Sequence, residues 1–454
     1  MRKDEKLIHL LNTRNYNIAN FFSVTPNMKI INKTFDIDEE KNDLRAHILQ
    51  LLKLASSKSV NIRSFSEDKP KGNRFVYGNT EADIDEILKV IKQNCEEGKY
   101  SIIDETIDTH DGGVSGVFYN DILEFSPNDT PRCVEKEGVC SLPSIIGKEL
   151  IKRVYGFDLS LYPEIWERVE FSIHPYREGV QRKHEIVWEL EEVKPRATKT
   201  TIKWPNNFSK FVGDKTFGLL IADILGFPVP RTTVIARSVA PFIFGVDINV
   251  EKWIRTAPIV KEPGKYYTGN KWCDPFKLMN DEEAKGSNDT NIAAILSQDA
   301  VNAVFSGAAI ITDKDETTIT EYTPGEGDDY MIGKSSIVVV PEEVSKAVTE
   351  LILAIRSKHH IIGNVSIEWV YDGETAWIVQ MNQINTVGQG CTIVDGDPAY
   401  YDQFEVIQGL EALRSKINDI KDKDIGIELI GDVGICSNFG DLLRQANIPS
   451  FITR

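Results

Sequence analysis

The chain has 454 residues and a formal net charge of −17, with 41% hydrophobic and 27% charged residues. This composition is typical of a soluble globular protein, and the length suits roughly two to four domains. The acidic net charge predicts that the chain does not bind nucleic acid or a membrane surface. No apolar run approaches the roughly 20 residues of a membrane span, which predicts that the chain does not cross a membrane. Six cysteines without a CxxC pair and a charged N-terminus without an apolar signal core predict a cytoplasmic protein.

The predicted elements divide the chain into four parts. Residues 1–58 are predicted as a helical lead-in, 59–195 as an N-terminal α/β domain, 205–390 as a second α/β domain, and 400–454 as a small C-terminal module. The stretch 191–210 is polar and basic, which is typical of a linker or exposed loop. We therefore expect a boundary between the two larger domains there.

Helical and strand-like patterns alternate along both larger parts. Residues 83–95 and 344–355 carry apolar side chains at helical spacing. The apolar runs 335–340 and 375–380 are typical of strands. The alternation predicts an α/β or α+β architecture.

The sequence also contains an internal similarity. Three pairs of segments resemble each other in the same order: 62–78 with 254–269, 102–127 with 295–324, and 184–192 with 365–374. Chance accounts easily for one such pair, and the shared order of three favours a duplicated half.

The most informative local pattern is Ile-Glu-Trp at Glu368, followed twelve residues later by Gln380, with the turn-forming YDGE between them. Two antiparallel strands joined by this turn would place the two side chains on neighbouring positions. A carboxylate and a carboxamide oxygen are hard ligands that suit Mg²⁺ on nucleotide phosphates. An ordinary amphipathic hairpin with exposed Glu and Gln side chains would show the same spacing.

Residues 363–382, GNVSIEWVYDGETAWIVQMN, resemble the ATP-grasp domain of phosphoenolpyruvate synthase and pyruvate phosphate dikinase. In that family the Glu and Gln of this hairpin bind the metal–ATP complex. The resemblance therefore implies ATP and Mg²⁺ as cofactors, with Glu368 and Gln380 as metal ligands. The chain departs from the family at Ser366, where the family has Asp, and at Asn382, where it has Arg. These departures predict weaker metal binding and the loss of one phosphate contact.

A second segment, residues 212–230, resembles the family's Val-Gly-Gly-Lys turn, the helix after it and a Gly-Phe-Pro-Val-Pro end. A glycine turn that presents Lys215 at the start of a helix, about 216–225, suits anionic phosphate. The resemblance implies that Lys215 binds the nucleotide and serves in catalysis. A surface lysine beside a turn is the alternative.

The family also has an arginine strand whose guanidinium contacts phosphates, and both Arg63 and Arg255 resemble it. Arg255 lies in the expected order after Lys215. Arg63 has the better match to the following acidic pair, at 67–68, but precedes the lysine. Both are candidate catalytic residues, and a structural ion-paired arginine is the alternative for each.

Residues 298–308 are similar to the strand and linker that flank adenine in this family. The resemblance implies that Gln298 faces the base and that Gly307 belongs to the nucleotide site. A buried strand followed by a glycine turn is the alternative.

Residues 433–449 resemble the swivelling phosphohistidine domain, but Asn438 stands where the family has its catalytic histidine. An amide cannot accept and transfer a phosphoryl group as imidazole does. The sequence therefore predicts a degenerate swivelling-like module, or a coincidental strand–helix unit, and no phosphohistidine relay.

Together these motifs predict an α/β (α+β) fold with ATP-grasp type mixed sheets flanked by helices, a duplicated half and a small C-terminal module. The expected function is an ATP-dependent phosphotransferase (kinase) or ligase that binds Mg-ATP and acts on an unidentified small-molecule or protein acceptor. A catalytically degenerate ATP-binding regulatory or scaffold subunit is the alternative, and a scaffold that binds no nucleotide is a third. A homodimer or a partner subunit fits each of these functions.

Overall fold

The computed structural model describes residues 1–37, 43–66, 73–195, 200–285, 292–314, 317–385, 388 and 390–453. The chain forms two compact units. The first unit comprises Met1–Val139 and Asp158–Thr198, and the second comprises Cys140–Phe157 and Lys199–Arg454. The junction at Thr198 and Lys199 falls within the polar stretch 191–210.

The α-helices of the described residues are α1 (Lys3–Arg14), α2 (Leu44–Leu54), α3 (Ile84–Glu96), α4 (Ser144–Tyr155), α5 (Asn207–Val212), α6 (Asp214–Ile224), α7 (Pro275–Glu283), α8 (Asp328–Met331), α9 (Glu342–Ser357), α10 (His359–Ile362), α11 (Leu410–Ile420) and α12 (Asn438–Ala446). None of these helices combines the length and the apolar composition that crossing a membrane requires.

The strands are β1 (Phe21–Val24), β2 (Ile30–Ile31), β3 (Val60–Phe65), β4 (Phe75–Asn79), β5 (Tyr100–Glu105), β6 (Val114–Tyr119), β7 (Ile122–Pro127), β8 (Cys140–Pro143), β9 (Glu167–Glu178), β10 (Lys183–Glu192), β11 (Thr232–Ala236), β12 (Phe242–Phe244), β13 (Lys252–Pro258), β14 (Thr268–Gly269), β15 (Ile292–Asp299), β16 (Phe305–Ile311), β17 (Ile319–Pro324), β18 (Val365–Tyr371), β19 (Ala376–Gln383), β20 (Thr392–Val394), β21 (Tyr400–Glu405), β22 (Ile425–Ile430) and β23 (Ser450–Thr453). The mixed α/β class predicted from the sequence is confirmed.

The first unit contains two antiparallel sheets. Their strand orders are β2-β1-β5-β3-β4 and β10-β9-β6-β7. Helices α2 and α3 pack on the first of these sheets, where α3 buries Ile84, Ile87 and Ile91. This three-and-four spacing is the periodicity that predicted the helix at 83–95. Residues 1–58, predicted as a lead-in, supply α1, β1, β2 and α2 to this unit.

The second unit contains two antiparallel sheets with the orders β12-β11-β15-β13-β14 and β17-β16-β18-β19. Its C-terminal part adds a smaller sheet, β20-β23-β22-β21, in which β21, β22 and β23 run parallel. One apolar core joins this module to the rest of the unit, since Ala308, Ile310 and Tyr330 pack with Phe404 and Leu429.

The two units share one strand order. Adding ten to each strand number of β2-β1-β5-β3-β4 gives β12-β11-β15-β13-β14, and β10-β9-β6-β7 corresponds to β19-β18-β16-β17. The first two similar segment pairs fall on corresponding strands. The third pair, 184–192 with 365–374, is wrong, because β10 corresponds to β19 and β9 to β18. Strands β9 and β18 alternate apolar and polar residues over part of their length, whereas β10 and β19 contain the apolar runs Ile186–Trp188 and Ala376–Val379. Such patterns do not specify which strands of the two units correspond.

One predicted strand is absent. The run 335–340 lies outside the strands of the described residues, and Val339 is fully exposed. The main chain of Val338 donates one hydrogen bond of 2.9 Å to the carbonyl of Tyr322. Consecutive apolar residues therefore lie along the unit without joining a sheet, because an apolar run alone does not specify strand pairing.

Candidate functional site

The hairpin of β18 and β19 positions the acidic and amide side chains at the centre of the site. Glu368 lies directly opposite Gln380 in the antiparallel register. The register shifts after this pair, where Val379 forms a bulge opposite Trp369. A bulge re-aims side chains at the point where it occurs. The sequence prediction that the two strands bring Glu368 and Gln380 to neighbouring positions is confirmed.

Arg255, on β13, connects the two sheets at this hairpin. Its Nη2 donates to Glu368 Oε2 at 3.0 Å and to Gln380 Oε1 at 3.2 Å. Its Nη1 donates to the carbonyl of Val379 at 2.5 Å and to Gln298 Oε1 at 3.4 Å. Arg255 therefore contacts three residues that lie more than 110 positions away in the chain, namely Glu368, Val379 and Gln380.

The guanidinium of Arg255 is buried, with 9% of the residue exposed. Its Nε has no hydrogen-bond partner among the described residues. An unpaired buried donor is costly, so its presence indicates a position where a bound acceptor would complete the hydrogen bonding.

Lys215 stands at the second residue of α6, which begins two positions earlier than predicted. The helix starts after Gly213, where φ is 88° and an added Cβ would lie 2.5 Å from the Cβ of Ala257. Glycine is therefore required for this close approach to β13. In the described part of the chain, the Lys215 ammonium makes no hydrogen bond or ion pair.

Burial and the positive charge of Arg255 lower the pKa of Lys215 to about 7. Both effects disfavour the charged ammonium, because a cation in a partly desolvated site beside another cation is poorly stabilised. A bound polyanion would reverse the second effect. The nearby carboxylates of Glu368 and Asp328 act on the pKa of Lys215 in the opposite direction but do not offset burial and Arg255.

These side chains line one cavity of about 240 Å³. Lys215, Arg255, Glu368 and Gln380 all contribute to its wall, and the helix α6 presents its N-terminus there. The N-terminus of a helix adds a partial positive charge and free N–H groups. The cavity thus combines anion-binding groups with two oxygen ligands.

A smaller neighbouring cavity of about 80 Å³ shares Arg255 and Glu368 with the first. Gln298 and Gly307 line it, as does the buried ring of Trp369. A Cβ at position 307 would lie 2.0 Å from the carbonyl oxygen of Glu321, so only glycine fits on this strand. Gln298 also donates to Thr232 Oγ1 at 3.2 Å, which fixes its amide.

The C-terminal module places Asn438 in the wall of the larger cavity. The loop before α12 is held by the buried carboxylate of Glu321, which accepts hydrogen bonds from the main-chain N–H groups of Ile435 and Cys436 at 2.9 and 2.8 Å. Tyr330 donates to the same carboxylate at 2.5 Å. Asn438 therefore lines the same cavity as Lys215 and Arg255, and its side chain is an amide.

The two candidate arginines have different surroundings. Arg255 lies with Lys215, whereas Arg63 belongs to the first unit. The guanidinium of Arg63 forms ion pairs with Asp104 at 2.5 Å and with Glu189 at 3.2 Å. The acidic pair at 67–68 that favoured Arg63 in the sequence lies outside the described residues.

Among the described residues, four charged residues of the cavity wall were not predicted, namely Asp214 and Glu262 together with Lys261 and Asp328. Lys261 follows β13 in a loop and pairs with Asp441 on α12 at 2.5 Å, and Asp328 begins α8. Neither has a sequence signal, because each reaches the cavity through a loop or short helix whose course depends on the tertiary structure.

The oxygen donors of the hairpin fit a divalent cation. Glu368 and Gln380 already direct two oxygen atoms at a single cationic nitrogen of Arg255. Mg²⁺ takes hard oxygen ligands and commonly keeps water and phosphate oxygens in its remaining positions. Within the described ranges, no group of three or more His, Cys, Asp or Glu side chains is arranged to hold a metal alone.

No protein-family model and no curated protein matches this chain. Solved structures similar to it include an L-amino acid ligase from Bacillus licheniformis, at 10% identity and TM-score 0.24, over 39% of this chain and 41% of that one. A D-alanine–D-alanine ligase from Bacillus anthracis, complexed with ATP, has 11% identity and TM-score 0.25, over 37% of this chain and 55% of that one. A pyruvate carboxylase from Rhizobium etli has 10% identity and TM-score 0.25, over 37% of this chain and 14% of that one.

The chain covers less than two thirds of the length of each of these proteins.

Proposed function

We propose that the second unit is an ATP-grasp type unit that binds Mg-ATP and acts as an ATP-dependent ligase or phosphotransferase. The observation that carries this proposal is the convergence of Lys215, Arg255, Glu368 and Gln380 on one cavity. These residues come from a helix N-terminus and two sheets, and together they offer two cations and two metal-ligand oxygens.

The side chains have distinct roles in this function. Lys215 and Arg255 bind phosphate oxygens, and the planar guanidinium binds two of them at once. Glu368 and Gln380 would hold Mg²⁺, which neutralises charge on the phosphates during transfer. Such catalysis depends on positioning and electrostatics rather than on a protein nucleophile. The smaller cavity beside Gln298 and Gly307 supports placement of the adenine there.

The acceptor must meet the nucleotide directly. Asn438 faces the cavity where the resembling family has a histidine, and an amide cannot form a phosphoryl intermediate. We therefore infer direct transfer of the terminal phosphoryl group to an acceptor oxygen, with ADP as the leaving group. A carboxylate acceptor would give an acyl phosphate, which an amine then converts to an amide with release of phosphate.

This proposal is tested with purified protein, Mg-ATP and mixtures of carboxylate acceptors. Products are separated to distinguish ADP from AMP, and hydroxylamine traps any acyl phosphate as a hydroxamate. ADP and hydroxamate formation that disappears in Glu368→Gln supports the ligase. Formation of AMP, or no nucleotide binding at all, would contradict the proposal.

A second candidate function is nucleotide binding without turnover. The observation that favours it is the Ser366–Asn382 pair, which lies opposite in the same hairpin and replaces the acidic and basic residues of the resembling family. A rise in melting temperature with Mg-ATP, without product from any acceptor, would favour this function over the ligase.

A further inference from the structure

The shared strand order allows residues of the two units to be matched through their registers. Arg63 lies opposite Ile102 of β5, as Arg255 lies opposite Leu296 of β15. Two residues further along those strands stand Asp104 and Gln298. The first unit therefore has an arginine at the position of Arg255 and a carboxylate at the position of the amide Gln298.

The second sheet gives the same correspondence. Glu170 lies opposite Glu189, and the register of β9 and β10 shifts between Val187 and Glu189. The hairpin of β18 and β19 has its bulge at the equivalent position, beside Glu368 and Gln380. Glu189 is therefore the counterpart of Gln380, and the second amide is also replaced by a carboxylate.

The lysine is matched as well. Lys3 begins α1, which packs on β10, and Lys215 stands in the first turn of α6, which packs on β19. Lys3 forms an ion pair with Glu189 and lies 3.3 Å from Glu191. Lys215 has no such partner in the described part of the second unit.

Charge distinguishes the two constellations. In the second unit, Arg255 meets two neutral amides and one carboxylate. The Nε atoms of Arg255 and Arg63 both lack a hydrogen-bond partner among the described residues, so this atom does not distinguish the two sites. In the first unit, the positions that correspond to Gln298 and Gln380 carry carboxylates that pair with Arg63. These carboxylates are more than nine-tenths buried, with 3% of Asp104 and 8% of Glu189 exposed. Carboxylates at these two positions, instead of the amides of the second unit, add two potential negative charges where the oxygens of a bound polyphosphate would otherwise lie.

We propose that the first unit contains a second polyphosphate-type site in which the carboxylates of Asp104 and Glu189 replace the phosphate oxygens. This inference rests on the proposed function only for the identity of the anion. The cavity beside Arg63 has a volume of about 560 Å³, and its lining carries, among the described residues, five cations against five carboxylates: Lys3, Arg63, Arg74, Arg132 and Arg168, and Asp104, Glu135, Glu170, Glu189 and Glu191. The Arg63 guanidinium itself is closed to polyphosphate, because Asp104 and Glu189 already pair with it. A polyphosphate entering the cavity would meet two carboxylates that already occupy the guanidinium.

The test restores the amides of the second unit in the double variant Asp104→Asn/Glu189→Gln and uses inorganic tripolyphosphate as the probe. Isothermal titration calorimetry on the full chain, in an Arg255→Ala background, removes the contribution of the second unit. We expect the double variant to bind tripolyphosphate at least about tenfold more tightly than the Arg255→Ala parent, which corresponds to about 1.4 kcal/mol. If adding Arg63→Ala abolishes the gain in tripolyphosphate affinity, the gain is assigned to the guanidinium of Arg63.

A matched control removes the same charge at exposed positions, through Asp121→Asn/Glu137→Gln. Equal tightening in this control would overturn the proposal, because the gain would then follow from net charge alone. No tightening in the restored variant would overturn it as well. Because the Arg255→Ala background removes the contribution of the second unit, tripolyphosphate binding here reports on the first unit. The result does not depend on whether the second unit binds nucleotide.

A safeguard covers the case in which the double variant does not fold. Single Glu189→Gln leaves the Arg63–Asp104 pair intact, and thermal unfolding with and without tripolyphosphate measures binding through stability. Both proteins carry Arg255→Ala, which removes the contribution of the second unit, and a larger rise in melting temperature with Glu189→Gln than in the Arg255→Ala parent supports the proposal. Equal shifts in both proteins would contradict it.

Discussion

At the scale of residues, the chemistry of an arginine in this protein depends on the charge of its immediate partners. Arg63 and Arg255 occupy matching strand positions, yet one meets carboxylates and the other meets mainly amides and a carbonyl. Arg63 pairs with two carboxylates, which balance its charge, whereas Arg255 pairs with Glu368 alone and otherwise meets neutral groups, so that more of its charge is available for a ligand. This difference is why the candidate nucleotide site is assigned to the second unit.

Replacement of Arg255 tests this assignment. We expect Arg255→Ala to weaken Mg-ATP binding roughly 100-fold, since losing a charge-assisted bidentate contact costs about 3 kcal/mol. Arg255→Lys should recover only part of this loss, because an ammonium cannot donate in the fork geometry of a guanidinium. Calorimetric titration with Mg-ATP measures both. An unchanged dissociation constant in Arg255→Ala would exclude phosphate contact by this residue.

Lys215 predicts a particular pH dependence of nucleotide binding. Its pKa is lowered to about 7 in the free protein, and bound phosphate would raise it toward the ordinary lysine value. Binding therefore takes up a proton between these two values, and affinity should fall as pH rises above 7, by up to about tenfold per pH unit. Titration from pH 6 to 9 in two buffers of different ionisation enthalpy measures the proton uptake.

The matched variant for this prediction is Lys215→Met, which has no titrating ammonium. Its nucleotide affinity should be weaker and nearly independent of pH over the same range. A wild-type affinity that stays flat from pH 7 to 9 would contradict the role given to Lys215.

At the scale of elements, the site depends on how closely helix α6 packs on strand β19. Gly218 is the contact point, where an added Cβ would lie 1.9 Å from the carbonyl oxygen of Met381. The next residue before Met381 is Gln380, and Lys215 lies one turn before Gly218. A single glycine therefore sets the distance between the lysine and the metal-ligand strand.

Gly218→Ala should consequently lower both stability and nucleotide affinity. Alanine favours a helix over glycine by about 1 kcal/mol, but overpacking against backbone costs about 1–3 kcal/mol or more. We expect net destabilisation in urea unfolding and weaker Mg-ATP binding. Gly327→Ala is the comparison for stability alone, since its Cβ meets only the Ser306 side chain, at 3.1 Å from Oγ and 3.6 Å from Cβ, and Gly327 lines the smaller cavity. Equal stability of Gly218→Ala and wild type would show that the helix shifts without cost.

At the scale of the whole molecule, the two units share one strand order but carry different charges at matching positions. Among the described residues, a third, small sheet belongs to the second unit. The C-terminal module shares an apolar core with β16 and α8, through Ala308, Ile310 and Tyr330. It also provides Asn438 to the cavity wall. The module is therefore part of the second unit's structure rather than an appended domain.

Removal of residues 392–454 should destabilise the second unit. The deletion would expose the apolar face that Ala308 and Ile310 form with the module, and it would leave the Glu321 carboxylate without the N–H donors of Ile435 and Cys436. We expect a lower melting temperature and binding of a hydrophobic dye at native temperature. The milder variant Glu321→Gln should lower stability without dye binding. A truncated chain as stable as wild type would contradict the shared core.

Much of the local structure could be predicted from the sequence, because periodicity and turn residues act over short distances. The helix at 83–95 and the opposition of Glu368 and Gln380 both follow from neighbouring residues. The third internal similarity and the strand at 335–340 were wrong, since alternation and apolar runs do not specify which strand pairs with which.

The sequence by itself thus determined most element types, the hairpin with its two oxygen ligands, Lys215 and two alternative arginines, but not the other charged residues of the cavity wall. Only the tertiary structure decided which arginine joins Lys215, because the contacts from Arg255 to Glu368 and Gln380 span 113 and 125 positions. It also revealed that Asp104 and Glu189 stand where Gln298 and Gln380 stand in the other unit. Such long-range pairings are set by sheet order and register, and no local pattern in a chain encodes them.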